Sequence, residues 1–197
     1  MYTPPSFREV REEVLHQLLR EYPLATLVIH GPNGLEATHV PLLLQDGVLR
    51  GHVARANPIS DAGGVAAVAI FQGPEHYISP GWYATKQTDP RVVPTWNYIA
   101  VHVHGTLRTF REPERLRRIV AELTESMEQR REEPWSIADA PSDYIDKLLQ
   151  AITGIEIPAE RIEGKWKVSQ NRSAADRQSV AAALDGDPMG DAVREAL

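Results

Sequence analysis

Hydrophobic positions near the N-terminus recur at helical spacing: Phe7, Val10, Val14, Leu15, Leu18 and Leu19 fall on one face. Ser6-x-x-Glu9 reads as a capping box preceded by Pro5, and Pro23 stops the helix. The period then shortens to that of strands. Leu24–His30 is a short apolar strand, Pro32-Asn33-Gly34 a tight turn and Glu36–Leu44 the return strand. Asp46-Gly47 makes a second tight turn into a third strand, Val48–Ala54. Val65–Gln72 is nearly all apolar, the pattern of a strand buried on both faces, and His76–Ser79 and Tyr98–Phe110 continue the β pattern. Strands joined by two-residue turns favour an antiparallel barrel or sandwich over βαβ units.

Beyond the strands the pattern returns to helical. Glu112–Arg131 carries Leu116, Ile119, Val120 and Leu123 on one face, and its charges of both signs describe a solvated face. Pro134 and Pro141 bracket a loop. Ser142–Ile152 is a second helix with Tyr144, Ile145, Leu148, Leu149 and Ile152 as its apolar stripe. Ile155–Val168 is a last strand, bent or interrupted at Pro158 and Gly164, and Ser173–Leu184 a terminal helix. The expected class is therefore mainly β (α+β) with flanking helices. One domain spans residues 1–184, and Asp185–Leu197, rich in Asp, Gly and Ala, forms a flexible C-terminal tail.

Composition narrows the function. A chain of 197 residues supports one good core. The absence of cysteine excludes disulfides, thiol catalysis and zinc–thiolate sites. No run approaches the roughly 18 apolar residues of a membrane span, and the N-terminus lacks a signal-peptide pattern, so a soluble cytoplasmic protein is expected. The formal net charge of −6, with no separate helix-turn-helix, argues against direct nucleic-acid binding. No G-x-S-x-G, H-E-x-x-H, Walker A or G-x-G-x-x-G motif occurs, so no catalytic residue is assigned.

Four clusters carry chemistry. In Gly51-His52-Val53-Ala54-Arg55-Ala56-Asn57-Pro58, Arg55 and Asn57 stand at a strand exit, where an arginine fork suits phosphate oxygens; an ordinary loop with an Asx turn is the competing reading. The stretch from Tyr77 through Trp82 and Tyr83 to Thr95-Trp96-Asn97-Tyr98 is dense in aromatics beside Ser, Thr, Asn and Lys, a composition that flanks a planar heterocycle or builds an ordinary core. His102 and His104 point to one strand face about 7 Å apart, but no third ligand is marked, so no metal site is assigned. Finally, Lys165-Trp166-Lys167-Val168-Ser169-Gln170-Asn171-Arg172 runs into a capped helix; Lys167, Gln170, Asn171 and Arg172 gather where free N–H groups favour an anion.

Together these stretches, with Met1-Tyr2-Thr3-Pro4-Pro5-Ser6-Phe7 and Thr38-His39-Val40-Pro41-Leu42, resemble the PaiB family of FMN-binding negative transcriptional regulators. The resemblance implies an FMN-binding split β-barrel, related to pyridoxamine-phosphate oxidases, that works as a homodimer with flavin mononucleotide (FMN) between subunits. On it, His52, Arg55, Asn57, Thr95, Trp96, Asn97, Lys167, Gln170 and Asn171 match pocket motifs. Chemistry adds Arg172 beside Arg55 and Lys167 for phosphate, and Trp82 beside Trp96 for the ring. The implied function is regulation through flavin- or small-molecule-linked chemistry. The alternatives are an FMN-dependent oxidoreductase of flavin-reductase type that does not bind DNA, and a haem- or metal-binding split barrel.

Overall fold

The structure is a computed structural model and describes residues 1–31 and 34–196. Among the described residues, ten strands form two antiparallel sheets, and five α-helices accompany them. The strands are β1 (Arg8–Glu9), β2 (Leu24–Gly31), β3 (Gly34–Pro41), β4 (Leu43–Gln45), β5 (Val48–Ala54), β6 (Ala66–Ile78), β7 (Thr95–Thr106), β8 (Arg108–Phe110), β9 (Ile152–Pro158) and β10 (Arg161–Lys167). The helices are α1 (Glu12–Glu21), α2 (Pro113–Glu128), α3 (Ser142–Leu149), α4 (Ala174–Ala183) and α5 (Pro188–Glu195). No helix among the described residues is long and apolar enough to cross a membrane.

The chain divides into two compact units. The first is assembled from residues 1–18, 72–101 and 163–197. In it β1 pairs with the end of β10, Arg8 opposite Lys165 and Glu9 opposite Gly164. That pairing displaces the expected N-terminal helix start. Glu9 does not close a capping box with Ser6; its carboxylate accepts from the Val10 and Arg11 N–H groups and pairs with the Arg11 guanidinium at 2.6 Å. The Arg11 fork holds the Glu9 carboxyl below the ordinary range, against the opposing effect of burial. The helix begins only at Glu12.

At the far end of the same unit, α4 starts where Ser173 caps it, its hydroxyl accepting from the Asp176 N–H at 3.1 Å. Residues 185–196 are not a frayed tail. Asp187 caps α5, and Met189 and Val193 are fully buried. Spacing of i and i+4 puts these two side chains on one helix face despite the polar composition around them.

The second unit holds residues 19–71 and 102–162. Here β2 pairs with β3 over its whole length and with β6 on its other side. The order β4-β5-β9-β8 makes the four-stranded sheet. Asp46 and Gly47 both take positive φ, 49° and 72°, the twist-matched hairpin turn expected between β4 and β5. The turn at Pro32-Asn33 lies outside the described residues. The expected return strand is broken at Leu42, whose N–H donates in register to the Pro23 carbonyl while Pro23 has no N–H to return the bond.

Other boundaries shift for similar reasons. The segments expected at Val65–Gln72 and His76–Ser79 are one strand, β6, and in the second unit it alternates: Ala67, Ala69 and Phe71 are buried, Val68 and Ile70 only partly so. Tyr98–Phe110 splits at Leu107, which exchanges hydrogen bonds with Gly64 and Val65 instead of continuing a ladder. The expected last strand is interrupted at Pro158, one of the two places its sequence marks, and becomes β9 and β10. Ile152 is the first residue of β9, not the last of α3. Of the expected α3 stripe only Ile145 and Leu149 are buried, while Tyr144 and Leu148 face solvent. Ile145 and Leu149 join Leu43, Phe110, Leu116, Ile119 and Leu123 in the core beneath α2. Gly154 is required there, because a Cβ would stand 2.1 Å from Phe110 Cζ.

Candidate functional site

The candidate residues fall into two groups, one in each unit. In the first unit, β7 opens with Thr95, Trp96 and Asn97, and β10 ends with Lys165, Trp166 and Lys167. The Lys167 ammonium donates to Thr95 Oγ1 and to the Trp96 carbonyl, both at 2.5 Å. Its partners are neutral, so its charge is uncompensated. Burial, reinforced by the nearby Lys165 and Arg172 cations, pushes the Lys167 pKa below the ordinary lysine value. No carboxylate forms an ion pair with Lys165, Lys167 or Arg172 among the described residues.

The bend after β10 is built locally. Ser169 adopts φ 66°, an uncommon conformation for a residue with a Cβ. Gln170 clasps the bend at both ends: its carbonyl oxygen accepts from the Val168 N–H at 2.8 Å and its amide donates to the Trp166 carbonyl at 2.5 Å. Both ends of Gln170 are thus engaged in shaping the loop. Asn97 is 1% exposed and donates to Ser169 Oγ at 2.9 Å, tying β7 to the bend. Its own Oδ1 is buried without a donor. Asn171 is exposed. Arg172 lies with its guanidinium 4.5 Å from the Tyr83 ring centre, and Tyr83 is buried.

Aromatic side chains border this cationic group. Trp96, about half exposed, meets Tyr77 edge-to-face with ring centres 6.0 Å apart. Trp82 is partly buried and packs against His76 at 5.8 Å. Lys165 sits 5.0 Å from the Tyr98 ring centre and donates to the Tyr2 carbonyl. Thr85 donates from its N–H and hydroxyl to the buried Asp176, fixing the loop after Trp82 against α4. Burial alone would raise the Asp176 carboxyl, but the Thr85 and Ser173 hydrogen bonds and the Arg172 charge hold it below its ordinary value.

Lys165, Ser169, Tyr77 and Asp176 lay outside the candidate set. Lys165 and Tyr77 carry a signal, Lys165 alternating with Lys167 along one strand and Tyr77 opening the aromatic-dense stretch. Ser169 lies within the Lys165–Arg172 motif, but nothing in the sequence marks its bond with Asn97.

In the second unit, His52 sits on β5 opposite Gly154. Its Nδ1 is buried without a partner, and burial lowers its pKa, favouring the neutral ring. Arg55 is exposed at the strand exit, its N–H donating to the Ala151 carbonyl. Asn57 has the Asx-turn role: Oδ1 accepts from the Ile59 N–H at 3.0 Å, and Nδ2 donates to Thr38 Oγ1 at 3.1 Å. The His102 and His104 rings lie 6.3 Å apart on β7, near the spacing expected of alternate strand positions.

The donor set of the first unit fits a ligand that joins an anion to a flat heterocycle. Comparison with known proteins bears on which one. The family model described as "Putative FMN-binding domain" matches residues 1–161. An uncharacterized protein of Emericella nidulans is 31% identical over 227 residues, covering 94% of this chain and 90% of that protein. The protease synthase and sporulation protein PAI 2 of Bacillus subtilis is 30% identical over 196 residues, covering 95% of this chain and 90% of its own. Among solved structures, the FAD and haem binding protein of Mycobacterium smegmatis matches with a TM-score of 0.62 at 16% identity, covering 89% of this chain and 79% of that one. At that identity the likeness speaks for the fold.

Proposed function

Because the chain belongs to the FMN-binding, PaiB-like family, with its split β-barrel fold, we propose that Lys167 and Arg172 receive the FMN phosphate and that Trp96, with Tyr77 or Trp82, borders the ring. The observation that carries this reading is the setting of Lys167: a partly buried cation beside two further cations, bonded only to neutral oxygens. An arriving phosphate relieves that strain in charge and forms charge-assisted hydrogen bonds. The bend that presents these groups is held by Gln170, Ser169 and Asn97. FMN supplies electron transfer when bound, and the chain's part is to hold and orient it.

His52, Arg55 and Asn57 are the second unit's own candidate contacts, with Arg55 available to a phosphate and Asn57 shaping the loop that carries it. A homodimer completes the pocket, each flavin shared between protomers. The half-exposed Trp96 and Tyr77 support that reading, as surfaces a ring or a second protomer would cover.

The proposed output is negative transcriptional regulation in the cytoplasm through flavin- or small-molecule-linked chemistry. A second reading, an FMN-dependent oxidoreductase of flavin-reductase type, is favoured by the net charge of −6, which opposes a phosphate-backbone surface. An absorbance spectrum of protein purified with FMN, with mass identification of released ligand, tests the flavin reading. Colourless protein that leaves flavin fluorescence unquenched at saturating FMN would refute it. A gel shift on promoter DNA separates the two outputs.

A further inference from the structure

Three strands of the second unit set a row of charge on one sheet face. Arg50 on β5 lies opposite Glu156 on β9, and Arg108 on β8 lies opposite the same Glu156 from the other side. Helix α2 adds Arg115 and Arg118, three residues apart and so on neighbouring surface. Glu156 is 8% exposed. Arg50 Nε reaches its Oε1 at 3.3 Å and an Arg115 terminal nitrogen reaches its Oε2 at 2.5 Å, so both carboxylate oxygens are engaged. The Arg115 guanidinium also stacks 3.9 Å from the Phe110 ring centre, which holds it in place.

Arg108 and Arg118 are left over. Both are exposed, and neither makes an ion pair among the described residues. Together with Gln45, Asp46, Glu122 and the apolar Val48 and Ile119, the four arginines and Glu156 line a cleft of about 770 Å³. That is the size of a metabolite site. Its four guanidiniums outnumber its carboxylates, Glu156, Glu122 and Asp46, by one, in a chain whose own net charge is −6. Planar arginine forks suit oxyanions, and a buried carboxylate that organises two of them leaves the other two for a ligand.

We propose that this cleft is an anion site separate in its residues from the flavin cluster, taking a small molecule with two or more phosphate or carboxylate groups. Arg108 and Arg118 contact the ligand, and the Arg50–Glu156–Arg115 network is their support. On the regulatory reading proposed above, it is a place for an effector.

Isothermal titration calorimetry of the full chain with pyrophosphate, and separately with citrate, at matched ionic strength tests this. Saturable binding of either probe, weakened roughly tenfold or more by R108A/R118A as expected for lost charge-assisted contacts, supports the site, and the preferred probe assigns phosphate or carboxylate. FMN affinity should stay unchanged in the variant, which separates this site from the flavin reading. If the double variant melts early, R118A alone should show an intermediate loss. Absence of saturable binding for both probes, or variants that bind as tightly as the unaltered chain, overturns the proposal.

Discussion

Replacing Lys167 with methionine keeps most of the side-chain volume and removes the charge. In the unliganded protein this lysine donates only to Thr95 and the Trp96 carbonyl, and its pKa is depressed first by desolvation, then by Lys165 and Arg172. If FMN phosphate binds there, the loss is that of a hydrogen bond between charged partners, about 1.5–3 kcal/mol, or roughly ten- to 150-fold in dissociation constant. The pH dependence sharpens the test. A folded-state pKa below the unfolded one means the unfolded chain binds more protons in the interval between them, so Lys167 makes the stability of the unliganded protein rise with pH there. A bound phosphate acts in the opposite direction. It draws the lysine pKa up, so complex formation takes up a proton and affinity falls as pH rises through the depressed value. Flavin-fluorescence titrations from neutral to alkaline pH should show that decline in the unaltered protein and a flatter profile in Lys167→Met. Equal affinity and an equal alkaline slope in both would refute the phosphate role of Lys167.

Three other outcomes are expected. Arg55→Ala should weaken FMN by about 1.5–3 kcal/mol if Arg55 reaches the phosphate, measured by the same titration. Asp176→Asn should lower the melting temperature at neutral pH and flatten the acid limb of stability. The depressed carboxyl contributes stability above its unfolded pKa and loses it as pH falls through the folded one, so thermal melts from pH 7 to 3 read the difference. Gly154→Ala should cost about 1–3 kcal/mol through the clash with Phe110, visible as a lower urea midpoint.

Local chemistry was legible in the sequence wherever one residue decides the backbone. Asp46-Gly47 takes the turn its composition demands, β5 runs from Val48 to Ala54 as expected, and Ser173 caps α4. Expectation failed where a distant partner decides. The break at Leu42 depends on its standing opposite Pro23, which has no N–H to give, and the late start of α1 on the Gly164–Lys165 edge claiming Arg8 and Glu9. Helix α5 hides because only two buried side chains in eight residues carry its apolar face. At the candidate site, Lys167 and Thr95 stand 72 positions apart, and no periodicity joins them. Only the shared motif order with a known family brought them together in advance. Gln170 is a candidate ligand contact by its motif, and its two local hydrogen bonds also shape the bend, a task that sequence does not reveal.

The first unit draws on three chain segments, 1–18, 72–101 and 163–197, so its strands and helices wait for one another. On the ribosome, β1 and the aromatic stretch emerge long before β10, α4 and α5 exist. Contacts of such long sequence separation form late and slowly. The cation-lined bend at Lys167–Arg172 follows the aromatic stretch by some seventy residues, so the two meet only after residues 163–172 have emerged. A nascent chain stalled before residue 163 would display Trp96 and Tyr77 without their cationic neighbours, a hydrophobic surface for chaperones to shield.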